Sequence, residues 1–159
     1  MRNKITVLFA FLVTACVGQA QVNQYSSTSG DVSLSASGYS FTIQGPVNNS
    51  KSIQLVSALI WCSVVCQVTQ AQNGTAATVT AGTANVLLPT TAAAVATIFT
   101  GSDVGTGTPA GGIIHLAGGQ WQTVNLSAVR MGSTAPPNYT FTVSSITGTF
   151  NVTLFWKEL

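Results

Sequence analysis

Two-residue alternation of apolar and polar side chains is the dominant pattern along the chain. Val32, Leu34 and Ala36 alternate with Ser33, Ser35 and Ser37, and Tyr39, Phe41 and Ile43 alternate with Ser40, Thr42 and Gln44. Successive side chains of a strand point to opposite faces, so each run offers one apolar face to a core, and Ser37-Gly38 between them is a turn signal. Toward the other end Tyr139, Phe141 and Val143 alternate with Thr140, Thr142 and Ser144; Thr147-Gly148 then punctuates, and Phe150, Val152, Leu154 and Trp156 line one face of a last strand. This second pair reads as an antiparallel hairpin.

Between these ends, Ile53 to Trp61 and Cys66 to Gln72 read as strands. Asn73-Gly74 ahead of Thr75 to Thr80 is the strongest hairpin-turn signal, because both residues tolerate the positive φ of a type I′ turn. Shorter strands are expected at Asn85 to Leu88, Val95 to Thr100, Ile113 to Leu116 and Trp121 to Leu126, while the Ala-rich piece Thr91 to Ile98 is open to a helical turn. Gly101 to Gly112 and Pro136-Pro137 read as surface loops. About eight to ten short strands without an amphipathic helix predict an all-β fold, in which two antiparallel sheets pack as a jelly-roll or Greek-key sandwich. No internal repeat of fixed period is present, which argues against a propeller or a β-helix.

The first twenty residues do not share this pattern. Arg2 and Lys4 form a basic start, Ile5 to Ala15 is an apolar run broken only by Thr6 and Thr14, and Gly18 and Ala20 occupy the positions a signal peptidase reads. A signal peptide over 1–20, cleaved before Gln21, is the expectation. The apolar run is shorter than the ~20 residues of a spanning helix, so no transmembrane span is expected in the mature chain. Val13-Thr14-Ala15-Cys16 also resembles a bacterial lipobox, and acylation of Cys16 would tether the domain to a membrane instead. Gln21 to Gly30 is polar, uncharged and without a hydrophobic pattern of its own. It reads as a leader to a single domain over 31–159, either loose or adding as a strand to a neighbouring subunit's sheet edge.

Export changes the charge balance. The formal net charge of +2 includes Arg2 and Lys4. Without them Lys51, Arg130 and Lys157 face Asp31, Asp103 and Glu158, with no basic cluster to neutralise phosphates, so nucleic acid is not an expected partner. Two cysteines remain, Cys62 and Cys66, and an oxidising compartment pairs them. Four extended residues cover ~13 Å while bridged Cα atoms lie within ~7 Å, so a bridged CSVVC segment must bend.

Candidate chemistry is sparse. Gly105-Thr106-Gly107 has neither the spacing nor the following Lys of a phosphate loop. His115 with Asp31 or Asp103 and a serine lacks a nucleophile elbow, and both aspartates sit beside Gly or Ser-rich turns. Glycoside hydrolysis needs two facing carboxylates, calcium needs several oxygen ligands, and Asp31, Asp103 and Glu158 are too few and too scattered for either. No catalytic residue, metal or cofactor is assigned. Of Trp61, Trp121 and Trp156, which could stack on sugar rings if exposed, an aromatic at an alternating strand position is more often core; Trp156 belongs to such a core face, while Trp121, between Gly118-Gly119-Gln120 and Gln122, is the best candidate of the three for exposure and ligand contact. Asn48, Asn73, Asn125, Asn138 and Asn151 begin N-x-S/T triplets.

The expectation is therefore a secreted or cell-surface protein of bacterial type that is not an enzyme. Its first expected role is structural or adhesive, with self-association through sheet edges that carry few charges. The alternative is a module that binds a carbohydrate or another exported protein, which requires a contiguous exposed aromatic patch. A membrane-tethered lipoprotein is the third.

Overall fold

The computed structural model describes residues 22–34, 38–46, 50–74, 85–86, 93–101, 107–132, 138–144 and 147–159. The signal segment, Cys16, Asp103, Asn48, Thr75 to Thr80 and Pro136-Pro137 lie outside them. Among the described residues there are thirteen strands and no helix. In chain order they are β1 (Asn23–Thr28), β2 (Val32–Leu34), β3 (Tyr39–Gln44), β4 (Ile53–Cys62), β5 (Cys66–Gln72), β6 (Asn85–Val86), β7 (Thr97–Gly101), β8 (Thr108–Pro109), β9 (Ile114–Leu116), β10 (Trp121–Asn125), β11 (Arg130–Met131), β12 (Asn138–Val143) and β13 (Gly148–Glu158).

The strands form a sandwich of two antiparallel sheets. One sheet has the order β10-β4-β13-β1-β6, with β11 beside β4 and β2 beside β13. The other has the order β7-β3-β12-β5-β8, with β9 beside β5. Four antiparallel pairs, β1 with β13, β3 with β12, β4 with β10 and β5 with β9, are linked by β13 to β4 and by β12 to β5. This is the jelly-roll arrangement: an antiparallel ribbon folded over so that its strands alternate between the two sheets. The strands outnumber the expected ones because β1 and β2, β8 and β9, and β10 and β11 each share one neighbour's edge in two short pieces.

The core is the apolar stripe that the alternation predicts. Phe41, Ile43, Val68, Phe141, Val143, Phe150, Val152, Leu154 and Trp156 are buried, with Tyr139 at their margin. The Tyr139 hydroxyl donates to Gln70 Oε1 at 2.8 Å, and Gln70 Nε2 donates to the Gly112 carbonyl at 3.1 Å, so a glutamine placed among apolar neighbours is satisfied on both ends. On the outward face of the second sheet, Thr42 and Thr140 hydroxyls meet at 2.9 Å and Ser40 and Thr142 at 3.0 Å, a cross-strand ladder of polar pairs.

Two expectations are corrected. First, of the segment expected as a leader, 22–30 is not outside the domain: Asn23–Thr28 is β1, paired along β13 from Asn23↔Glu158 to Thr28↔Thr153. Tyr25 supplies the anchor, fully buried and stacked on Trp156 with ring centroids 5.8 Å apart, and the small Ser27 fits the same inner face. Second, β12 and β13 are not a hairpin. They lie in different sheets, because each carries an apolar stripe and the two stripes are buried by facing rather than by pairing side to side. The hairpin expected from Asn73-Gly74 into Thr75 to Thr80 falls outside the described residues; Asn73 itself adopts φ 57°, and Gln72 before it pairs with Tyr139 of β12 and Thr108 of β8.

Glu158, which the sequence leaves without a role, is buried at the end of β13. Its Oε1 accepts from the Val95 backbone N–H at 2.6 Å and its Oε2 faces Lys51 Nζ at 3.8 Å, tying the approach to β7 in one sheet to β13 in the other.

Candidate functional site

The segment Cys62 to Cys66 turns the chain from one sheet to the other. Cys62 ends β4, Cys66 opens β5, and their sulfurs are bonded across a Cα–Cα distance of 6.4 Å. The bend required by the CSVVC spacing is thus a corner between sheets, and Val64 and Val65 project from it into solvent.

Next to this corner lies an ordered row of side chains on the outer face of the first sheet. Trp61 sits between the fully buried Ile60 and Cys62, so its own side chain faces outward. Register places Trp121 of β10 opposite it on one side and Asn151 of β13 opposite it on the other. The two indoles are 6.1 Å apart between centroids and tilted by 31°. Trp121 is 56 % exposed. Beyond Asn151 the row ends in Asp31: Asn151 Nδ2 donates to Asp31 Oδ1 at 2.8 Å, and Thr28 Oγ1 donates to Asn151 Oδ1 at 3.3 Å.

Two indole faces therefore continue into an amide and a carboxylate whose orientations are fixed by each other. From β10 to the Asp31 side the row crosses three strand spacings, about 14 Å. The next outward row, Thr123, Leu59, Thr153 and Thr28, adds a half-buried leucine rimmed by hydroxyls. Flat aromatic area beside positioned hydrogen-bonding groups suits a ligand with both apolar faces and hydroxyls.

A second concavity lies on the opposite sheet. A trough of about 470 Å³ is floored by Thr69, Ala71 and Thr142 and walled by Pro109, the Gly111-Gly112 backbone and Ile113. It has no aromatic ring and no charged group. Burial pushes the Tyr139 phenol, which lies behind Gln70, up to about 12.

Trp121, the best candidate among the tryptophans for exposure, is 56 % exposed, and Trp156 is in the core as the alternation indicates. Asp31, expected only as a turn residue, and Asn151, noted only as a sequon, are brought together at the end of the tryptophan row; nothing in their spacing of 120 residues signals this. His115 is exposed on β9 of the other sheet, opposite Gln67. Asn138 is buried and its amide donates to the Gly74 carbonyl, so its triplet is closed to modification in the folded domain. No protein family, no curated protein and no solved structure was found to match the chain.

Proposed function

We propose that this chain is an exported, non-catalytic binding module that takes a neutral glycan along the row Trp121, Trp61, Asn151 and Asp31. The observation that carries the proposal is the exposed indole of Trp121 in line with Trp61 and with an amide–carboxylate pair held at 2.8 Å. Sugar rings have an apolar face for stacking and equatorial hydroxyls that donate to Asp31 and exchange hydrogen bonds with Asn151. The carboxylate disfavours uronic acids and sulfated sugars, since no cation of the described residues joins the row: Lys157 and Arg130 pair with Gln24 and Gln54 at the opposite end of the sheet. Export follows from the signal segment, with the mature chain starting at Gln21 or, if Cys16 is acylated, tethered to the membrane.

Self-association through sheet edges is limited at β6, β8, β9 and β11, which are two or three residues long, and β8 contains Pro109; among the described strands this leaves β7 and β10, five residues each, as the longer edges. Affinity electrophoresis of the mature, oxidised chain through gels containing neutral glucan, xylan, mannan or the acidic polygalacturonate tests the proposal. Retardation by a neutral polysaccharide and free passage through polygalacturonate is the expected result. Free passage through all of them would remove the glycan, and retardation by polygalacturonate alone would reverse the charge preference.

A further inference from the structure

The geometry points to the disulfide-closed turn Cys62–Cys66 as the device that positions the binding row, so that the site is assembled only in the oxidised chain; this inference rests on the function proposed above. All three strands of the row are bonded to this one turn. Trp61 is directly followed by Cys62. The Cys62 carbonyl accepts from the Gly119 N–H at 2.8 Å, two residues before Trp121. Ser63 N–H donates to the Thr149 carbonyl at 2.9 Å, and the Thr149 N–H donates back to Ser63 Oγ at 2.8 Å, two residues before Asn151.

The contact between the turns is also steric. A Cβ at Gly118 would lie 2.9 Å from Val64 Cα, so the 117–120 turn rests backbone to backbone on the disulfide turn. Gly119 has φ 77°, a conformation that suits glycine and aims its N–H at Cys62. β10 depends on this support more than other strands do. Four of its five side chains are exposed and only Val124 is partly buried, so packing does little to fix its position. Beyond its hydrogen bonds to β4 it is held at its two ends, by the turn that leads into it and by the buried Leu126 that follows it, whose N–H donates to the Val56 carbonyl at 3.0 Å; the Trp121 end therefore rests on the turn.

A bridge closing so short a loop removes little entropy from the unfolded chain, so its main effect is local. Opening it leaves Cys62 and Cys66 buried in the two sheets but lets residues 63–65 relax, and with them the anchors of Gly119 and Thr149. Cys62, Cys66, Ser63 and Gly118 are in this sense positioning residues: they act through Trp61, Trp121 and Asn151.

The experiment compares the oxidised chain, the chain reduced with dithiothreitol, and the Gly118→Ala variant with its disulfide intact. In the reduction the Sγ–Sγ bond takes up two electrons and two protons, leaving two thiols, and dithiothreitol becomes its cyclic disulfide. Two readouts are taken on each: amide hydrogen exchange, and titration with cello-, xylo- and manno-oligosaccharides. Exchange at Gly119 and Thr149, whose N–H groups donate to the turn, is expected to accelerate about tenfold or more in the reduced chain, while Phe41 and Phe141 amides stay protected; reoxidation restores the original rates. Gly118→Ala is expected to accelerate exchange at Gly119 and not at Thr149. Affinity for whichever oligosaccharide binds the oxidised chain is expected to fall about tenfold in both. Unchanged exchange at Gly119 and Thr149 on reduction would overturn the positioning role whether or not a sugar binds. Binding by the oxidised chain that survives reduction intact would overturn it as well. Faster exchange with no binding by the oxidised chain to any of the sugars would leave the turn as an anchor and remove the site it was inferred to assemble.

Discussion

Replacing Tyr25 by alanine separates a core strand from a polar leader. Tyr25 is fully buried, stacks on Trp156 at 5.8 Å, and is the large apolar anchor of β1. A buried aromatic side chain removes ~150–250 Å² from water, which at ~25 cal/mol per Å² is worth about 4–6 kcal/mol; large-to-alanine substitutions at such positions cost about 3–5 kcal/mol. That is a large share of the ~5–15 kcal/mol that holds a domain of ordinary stability together. Urea unfolding of the oxidised chain, followed by tryptophan fluorescence, measures it as a shift in midpoint at constant slope. The control is Gln24→Ala on the outward face of the same strand, which is expected to cost under about 0.5 kcal/mol. A Tyr25→Ala loss below about 1 kcal/mol would refute the placement of β1 in the sheet, because an exposed tyrosine on a loose leader has nothing to lose.

Other expectations follow from the same packing. Deleting residues 22–30 uncovers the β13 edge from Thr153 to Glu158, and sedimentation is expected to show aggregation or unfolding; a folded monomer would contradict the pairing. The Tyr139 phenol ionises near 10 in the unfolded chain and at about 12 in the folded one. The folded state therefore holds the proton more tightly, its stabilisation is complete below pH 10, and of the order of 2 kcal/mol is lost as pH rises from 10 to 12. Urea midpoints of the native chain and Tyr139→Phe should converge across that window, and parallel curves would show that Tyr139 does not contribute. Glu158→Ala strands the Val95 N–H and is expected to cost about 1–3 kcal/mol; an unchanged urea midpoint would show that this link carries no weight.

Much of the fold was legible because period-two alternation reports directly which side of a strand is buried. Tyr39 to Gln44, Ile53 to Trp61 and Phe150 to Trp156 fall on strands for that reason. What alternation does not encode is which strand neighbours which. The same apolar stripe on β12 and β13 fits a hairpin or two facing sheets, and only the competition among all stripes for one core decides. β1 was hidden because its inner face holds one aromatic and the small Ser27 in an otherwise polar run, a pattern that looks polar until Trp156 is there to stack on Tyr25. The binding row was half legible. Trp121 stood out among glycines and glutamines, but the Asp31–Asn151 pair comes from two distant segments joined only by the β13 register.

The most direct test of the proposed site is isothermal titration of the oxidised chain and its Trp121→Ala variant with the neutral oligosaccharide that binds, each checked by urea unfolding. Trp121 is 56 % exposed, so its removal is expected to lower stability by no more than about 1 kcal/mol while weakening binding about tenfold or more. Equal affinity of the two proteins would contradict the claim that the tryptophan row is where the ligand sits.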